Sequence, residues 1–189
     1  FDPVKFNADE IVSLAKAAGM RSIVITTKHH DGFCMFNTAT TEYNSVNATP
    51  SKRDYVKELS DACRRGGINF AMYYSLIDWN FPHAYPISSH NCDFITPQHH
   101  EFSKAQITEL LTNYGPVSEL WFDMGSNQPE QSKELYELVH KLQPDCMVSG
   151  RLGNGWYDFA VMADNKYPEG ALQAPWQSAA SMFDETWSY

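Results

Sequence analysis

Two kinds of segment alternate along the 189-residue chain. The first kind is short and apolar. Residues 22–27 (SIVITT) are β-branched, which marks a buried strand. Residues 68–75 (INFAMYYS), 117–123 (VSELWFD) and 146–151 (CMVSGR) read the same way, and residues 158–163 (DFAVMA) form a weaker fifth pattern. The second kind repeats apolar residues at helical spacing. Residues 8–18 place Ile11, Leu14, Ala15 and Ala18 on one face, ahead of a stop at Gly19. Residues 53–65 align Val56, Leu59 and Cys63 before Gly66 and Gly67. Thr96-Pro97 is an N-cap followed by proline at the first helical position, and it opens a helix with Phe102, Ala105 and Leu110 that ends near Gly115. Pro129 opens a fourth helix with Leu135, Leu138, Val139 and Leu142, stopped by Pro144.

Helix and strand therefore alternate, the signature of βα units on a parallel sheet. Two stretches that follow strands are long, residues 28–52 and 76–96. In a (β/α)8 barrel such loops build the catalytic face. A doubly wound open sheet is the rival, but no Gly-rich phosphate loop follows any strand. A full barrel needs ~250 residues and eight strands. The expectation is thus an α/β fold, a (β/α)8 TIM-like barrel that is partial in this chain. Residues 1–189 then form a single catalytic domain lacking the first and last parts of a full barrel. The start at Phe1, with no Met and no signal-like segment, fits a processed or truncated terminus.

Charge and composition narrow the function. With 14 Lys+Arg against 23 Asp+Glu the net charge is −9, which argues against a nucleic-acid partner. No apolar run reaches the ~18 residues of a membrane-spanning helix. The 5 Trp, 10 Tyr and 11 Phe serve either a large core or a cleft that stacks flat ligand faces such as those of a sugar. Cys34, Cys63, Cys92 and Cys146 match no zinc or redox spacing and read as free or buried thiols.

Polar groups collect where the strands end. Lys28, His29, His30 and Asp31 follow the first strand. Tyr73, Tyr74 and Ser75, then Asp78 and Trp79, follow the second. Asp123 ends the third, and Arg151 the fourth. Adjacent residues on a strand point to opposite faces, so His29 and His30 are poorly placed to share one metal. Hydrogen bonding to a polyol suits them better, since imidazole offers a donor and an acceptor. A structural role for each histidine stays open. Asp123 is either the end of a solvated loop or a nucleophile in an apolar-walled cleft. Trp121, two residues earlier, shares its face of the strand. Arg151 either clamps a substrate oxygen or pairs with Asp123.

Taken in order, these residues resemble the α-L-fucosidases of glycoside hydrolase family 29. The run Thr26-Thr27-Lys28-His29-His30-Asp31-Gly32-Phe33 carries the resemblance, with Tyr43-Asn44, Arg53-Asp54, Tyr73-Tyr74-Ser75, Asp78-Trp79 and Trp121-Phe122-Asp123. Pro175-Trp176, Met182 and Thr186-Trp187-Ser188-Tyr189 resemble the family's closing pattern. The resemblance implies retaining hydrolysis of α-L-fucosyl linkages through a covalent fucosyl-aspartate. It implies Asp123 as nucleophile, and His29, His30, Tyr73, Trp121 and Arg151 around the sugar. The family's general acid has no clear counterpart. One family placement falls in a stretch without glutamate, where Lys166 stands, and another falls on Gln177, which has no titratable proton. Asp164, Glu169 and Glu185 are the local substitutes, and Asp164 is the candidate. The resemblance implies no cofactor and no metal, a fucosylated oligosaccharide or glycoconjugate as partner, and a secreted, periplasmic or lysosomal setting. The rival functions are a catalytically impaired fucosidase-like carbohydrate-binding protein and a related glycosidase with another sugar preference.

Overall fold

The computed structural model describes residues 1–86, 93–182 and 187. Cys92, Glu185 and the ends of the closing pattern at Thr186, Ser188 and Tyr189 lie outside the described residues. The elements run α1 (Ala8–Ala17), β1 (Ser22–Lys28), α2 (Tyr55–Gly66), β2 (Asn69–Ser75), α3 (Pro97–Asn113), β3 (Glu119–Asp123), α4 (Pro129–Leu142), β4 (Met147–Val148), β5 (Ala160–Val161) and β6 (Trp176–Gln177). A 3₁₀ turn, Gly150–Leu152, follows β4.

Local chemistry sets the helix starts. Asn7 caps α1 by accepting from the Glu10 amide, and Asp54 caps α2 by accepting from the Lys57 amide. Thr96 accepts from the His99 amide, with Pro97 at the first helical position. Gln128 and Gln131 form a reciprocal capping box on α4.

The α1 face differs from the one its periodicity suggests. Ala8, Val12 and Ala15 are buried, whereas Ile11 is 37% and Leu14 72% exposed. The close approach to α2 selects this stripe of smaller residues: a Cβ on Gly66 would stand 2.4 Å from Val12 Cγ1. On α3, Ala105 is exposed while His99, His100, Ser103 and Gln106 are buried beside Ile107, Leu110 and Leu111. Of these, Gln106 has partners beneath it. Tyr74 donates to Gln106 Oε1 at 2.7 Å, and the Gln106 amide donates to Thr40 Oγ1 at 2.9 Å.

The first four strands form a parallel sheet in the order β1-β2-β3-β4, and β5 pairs in parallel with β6. A parallel bridge between Ser149 and Phe159 links the two sheets. Neighbours in space are thus neighbours in sequence, in an α/β fold of parallel strands. No closed barrel is formed among the described residues. The strand expected over 146–151 is cut short because the Ser149 side chain takes over its ladder. Its Oγ accepts from the Phe122 amide at 2.8 Å and donates to the Phe122 carbonyl at 3.2 Å. At two residues, β6 is too short to show any periodicity.

One face of the sheet packs on the helices. Met72, Tyr74, Leu120, Phe122 and Val148 meet Val56, Ile107, Leu110, Leu135 and Val139, all fully buried. The opposite face carries Val24, Ala71 and Glu119 in one row and Thr26, Tyr73 and Trp121 in the next, with Ser75 and Asp123 at its C-terminal rim. Cys34, Cys63 and Cys146 are free and buried. No helix among the described residues is long and apolar enough to cross a membrane.

Candidate active site

Asp123 sits at the C-terminal end of β3 and is 7% exposed. Both its oxygens accept hydrogen bonds. Arg151 donates to Oδ1 at 2.8 Å, and the Tyr73 hydroxyl donates to Oδ2 at 2.6 Å. Register brings Tyr73 there: Ser75 lies opposite Asp123 and Tyr73 opposite Trp121, so Tyr73 is on the same face. Tyr74 faces the other way, into the helix layer. Burial, then the charge of Asp123, holds the Tyr73 phenol well above its ordinary pKa, so the hydroxyl stays a donor.

Arg151 emerges from the 3₁₀ turn after β4 and spans two carboxylates, pairing with Asp123 and with Asp164. Its burial alone would lower its pKa, but the hydrogen bonds to Asp164 and Asp123 outweigh that and raise it. Asp164 follows β5 and its side chain is half exposed. Among the described residues it is the second carboxylate joined to the Asp123 cluster. Gln177 is elsewhere. Its amide donates to Glu119 Oε2 at 2.7 Å, four residues down β3 from Asp123. Lys166 and Glu169 are exposed.

His29, Tyr73, Trp121 and Arg151 form a ladder that runs from the end of β1 across β2 and β3 to the turn after β4. His29 stacks on Tyr73 at 5.5 Å, Tyr73 stacks on Trp121 at 5.5 Å, and the Arg151 guanidinium lies 4.8 Å from the Trp121 ring centre. Trp121 is therefore flanked by protein, and its edge rather than an open face borders the site.

The two histidines correct an expectation. They do not diverge to opposite faces: their ring centres are 3.9 Å apart. The β1–β2 register shifts between Thr26 and Lys28, and β1 ends at Lys28, so the alternation of a strand no longer governs residues 29 and 30. His30 Nε2 stands 3.9 Å from Asp123 Oδ2, and its Nδ1 is 2.7 Å from Ser75 Oγ. Burial, reinforced by the neighbouring His29, lowers the His30 pKa to about 4. The imidazole is thus neutral near pH 7.

Lys28, by contrast, turns away from the site. It is fully buried on the helix side, 3.3 Å from Asp78 Oδ2 and 4.4 Å from the centre of the Tyr74 ring. Asp78 in turn presses on the loop after β1. A Cβ on Gly32, whose φ is +81°, would stand 2.2 Å from Asp78 Oδ1. The Trp79 amide donates to the His30 carbonyl at 2.8 Å. This buried pair ties the β1 and β2 loops together beneath His30. Its signal in the sequence is a single charge closing the otherwise uncharged run of residues 22–28.

The described His, Cys, Asp and Glu side chains close enough to share a metal are His100, Glu101 and Glu134, on α3 and α4. Lys104 already bridges both of those carboxylates, at 2.9 and 3.1 Å.

The profile of the family described as Alpha-L-fucosidase matches residues 1–189. Alpha-L-fucosidase 1 of Arabidopsis thaliana is 33% identical over 162 residues, covering 81% of this chain and 30% of that protein. The solved structure of alpha-L-fucosidase isoenzyme 1 from Paenibacillus thiaminolyticus superposes with a TM-score of 0.84 at 31% identity, covering 96% of this chain and 50% of that one. A Lactobacillus casei alpha-L-fucosidase in complex with its alpha-L-fucose product gives a TM-score of 0.77 at 38% identity, covering 88% and 58%. The chain thus spans well under two thirds of the length of each of these relatives. The profile match over its whole length, with Asp123 held at a strand end among His30, Tyr73 and Arg151, places the chain in the alpha-L-fucosidase family.

Proposed function

We propose that this chain carries the nucleophile side of a retaining α-L-fucosidase site, on a segment of a (β/α)8 barrel wall within one catalytic domain over residues 1–189. The observation that carries the reading is Asp123, a carboxylate at a strand end whose two oxygens face a guanidinium and a phenol. Strands that neighbour one another in chain order support the barrel wall. In the first step an Asp123 oxygen attacks the anomeric carbon while the bond from that carbon to the leaving oxygen breaks, giving a fucosyl ester. Asp164 supplies the proton to the leaving oxygen. Water then attacks the same carbon, Asp164 takes its proton, and the ester bond to Asp123 breaks. One guanidinium spanning both carboxylates is of the scale of the ~5–5.5 Å separation used by retaining enzymes. Arg151 must release Asp164 for it to carry a proton. His29, His30 and the edges of Tyr73 and Trp121 line the space for the sugar. No step calls for a cofactor.

The pairing of Asp164 with Arg151 also favours a second reading, a protein that binds fucose and turns it over poorly. Release of 4-nitrophenol from an aryl α-L-fucoside tests both, because this leaving group needs little protonation. Release establishes the hydrolytic reading. A folded sample that binds fucose and releases nothing supports the binding protein. No binding and no release refutes both.

A further inference from the structure

Ser75 lies fully buried at the end of β2, with two short contacts and a single proton. Its Oγ donates to the Ile77 carbonyl at 2.8 Å and lies 2.7 Å from His30 Nδ1. A carbonyl oxygen only accepts, so the hydroxyl proton belongs on the Ile77 side. If His30 Nδ1 were bare, two lone pairs would face each other at one of these contacts. Only one assignment satisfies both: His30 Nδ1–H donates to Ser75 Oγ, which donates to Ile77 O. The other end of the ring then has no proton. We infer that Ser75 is a positioning residue that locks His30 as the Nδ1–H tautomer, so that Nε2 faces the site as a bare acceptor for a ligand hydroxyl.

The surroundings agree with this. Nε2 is 3.9 Å from Asp123 Oδ2, beyond hydrogen-bond distance, and that oxygen already accepts from Tyr73. The Trp79 amide holds the His30 carbonyl from the other side, which fixes where the ring starts. Burial keeps the ring neutral near pH 7, so the position of its one proton decides what it recognises. The pocket beside Asp123 then presents two acceptors, and it selects a ligand that brings donating hydroxyls. A fluorine or a methyl ether in place of the hydroxyl that meets Nε2 has no proton to give.

The tautomer half of this inference stands without the fucosidase reading; the ligand half rests on it. The test begins with ring nitrogen NMR at pH 7 on the intact chain labelled with ¹⁵N-histidine, His30 being assigned by its loss in His30→Gln. In the unmodified protein Nδ1 is expected as the N–H type and Nε2 as the bare type. An N–H signal at Nε2 overturns the inference with no variant needed. Ser75→Ala and the better-packed Ser75→Cys are both expected to shift the proton toward Nε2, and an unchanged pattern in both folded variants also overturns it. A role in packing alone would leave the pattern in Ser75→Cys untouched. With an aryl α-L-fucoside, loss of the lock is expected to raise KM by about tenfold with kcat little changed. The spectra are read without substrate, so a protein that cleaves no fucoside refutes the proposed function and leaves the tautomer result standing.

Discussion

Replacing Asp123 with alanine tests the assignment of the nucleophile. The change removes the attacking oxygen and leaves the two donors around it facing a small gap. Arg151 keeps Asp164 as a partner, but the Tyr73 hydroxyl loses its 2.6 Å acceptor. Leaving that one buried donor unmade costs about 1–3 kcal/mol of stability, which a folded domain of this size survives. The catalytic loss is larger. Removing a group that forms the covalent intermediate is expected to lower kcat by about 10⁴-fold, or ~5.5 kcal/mol of transition-state stabilisation. The gap between Arg151 and Tyr73 is an anion site once the carboxylate is gone. Azide is therefore expected to enter it, restore turnover of 4-nitrophenyl α-L-fucoside, and yield the β-configured fucosyl azide by one direct displacement. Hydrolysis by the folded variant at the original rate would falsify the nucleophile role. Rescue that gave the α-configured azide would refute the geometry of attack.

Three further outcomes are expected. Lys28→Met leaves the buried Asp78 carboxylate without its cation, with the Asn80 amide still donating to Oδ1 at 2.9 Å, a loss of about 3–5 kcal/mol that lowers Tm by about 10 °C; a melting curve within ~2 °C of the parent contradicts the clamp. His30 and His99 both have folded-state pKa values lowered to about 4, in each case chiefly by burial. A histidine lowered in the folded state contributes fully above its unfolded value of ~6.5 and loses that contribution as pH falls toward 4, by about 3 kcal/mol at most for each. Urea midpoints are thus expected to drop between pH 7 and 4.5, and to drop less in His99→Gln; equal drops would argue against that origin. Glu119→Gln is expected to leave aryl fucoside hydrolysis unchanged, because Glu119 lies about 13 Å down the strand from Asp123. A large fall in kcat would point to Glu119 as a missed acid.

The sequence by itself determined the elements whose causes are local. The cap at Thr96-Pro97, the glycine stop at Gly67 and the apolar runs of β1 to β3 place their elements within a few residues. It also placed His30, Tyr73, Asp123 and Arg151 near strand ends, because each lies at or just past the end of a short apolar run with a strand pattern. The relations between these groups required the fold. Which face of β2 meets Asp123 depends on register, and register separates Tyr73 from Tyr74. A shift between Thr26 and Lys28 turns Lys28 into the helix layer and brings the rings of His29 and His30 together, against the alternation of an ideal strand. The burial of Gln106 on α3 follows from its hydrogen bonds to Tyr74 and Thr40 beneath it, and the exposure of Leu14 from the close approach of α2. The link from Asp123 through Arg151 to Asp164 joins side chains from the end of β3, the turn after β4 and the segment after β5. Such contacts depend on distances of a few ångströms between segments far apart in the chain, and residue spacing carries no measure of them.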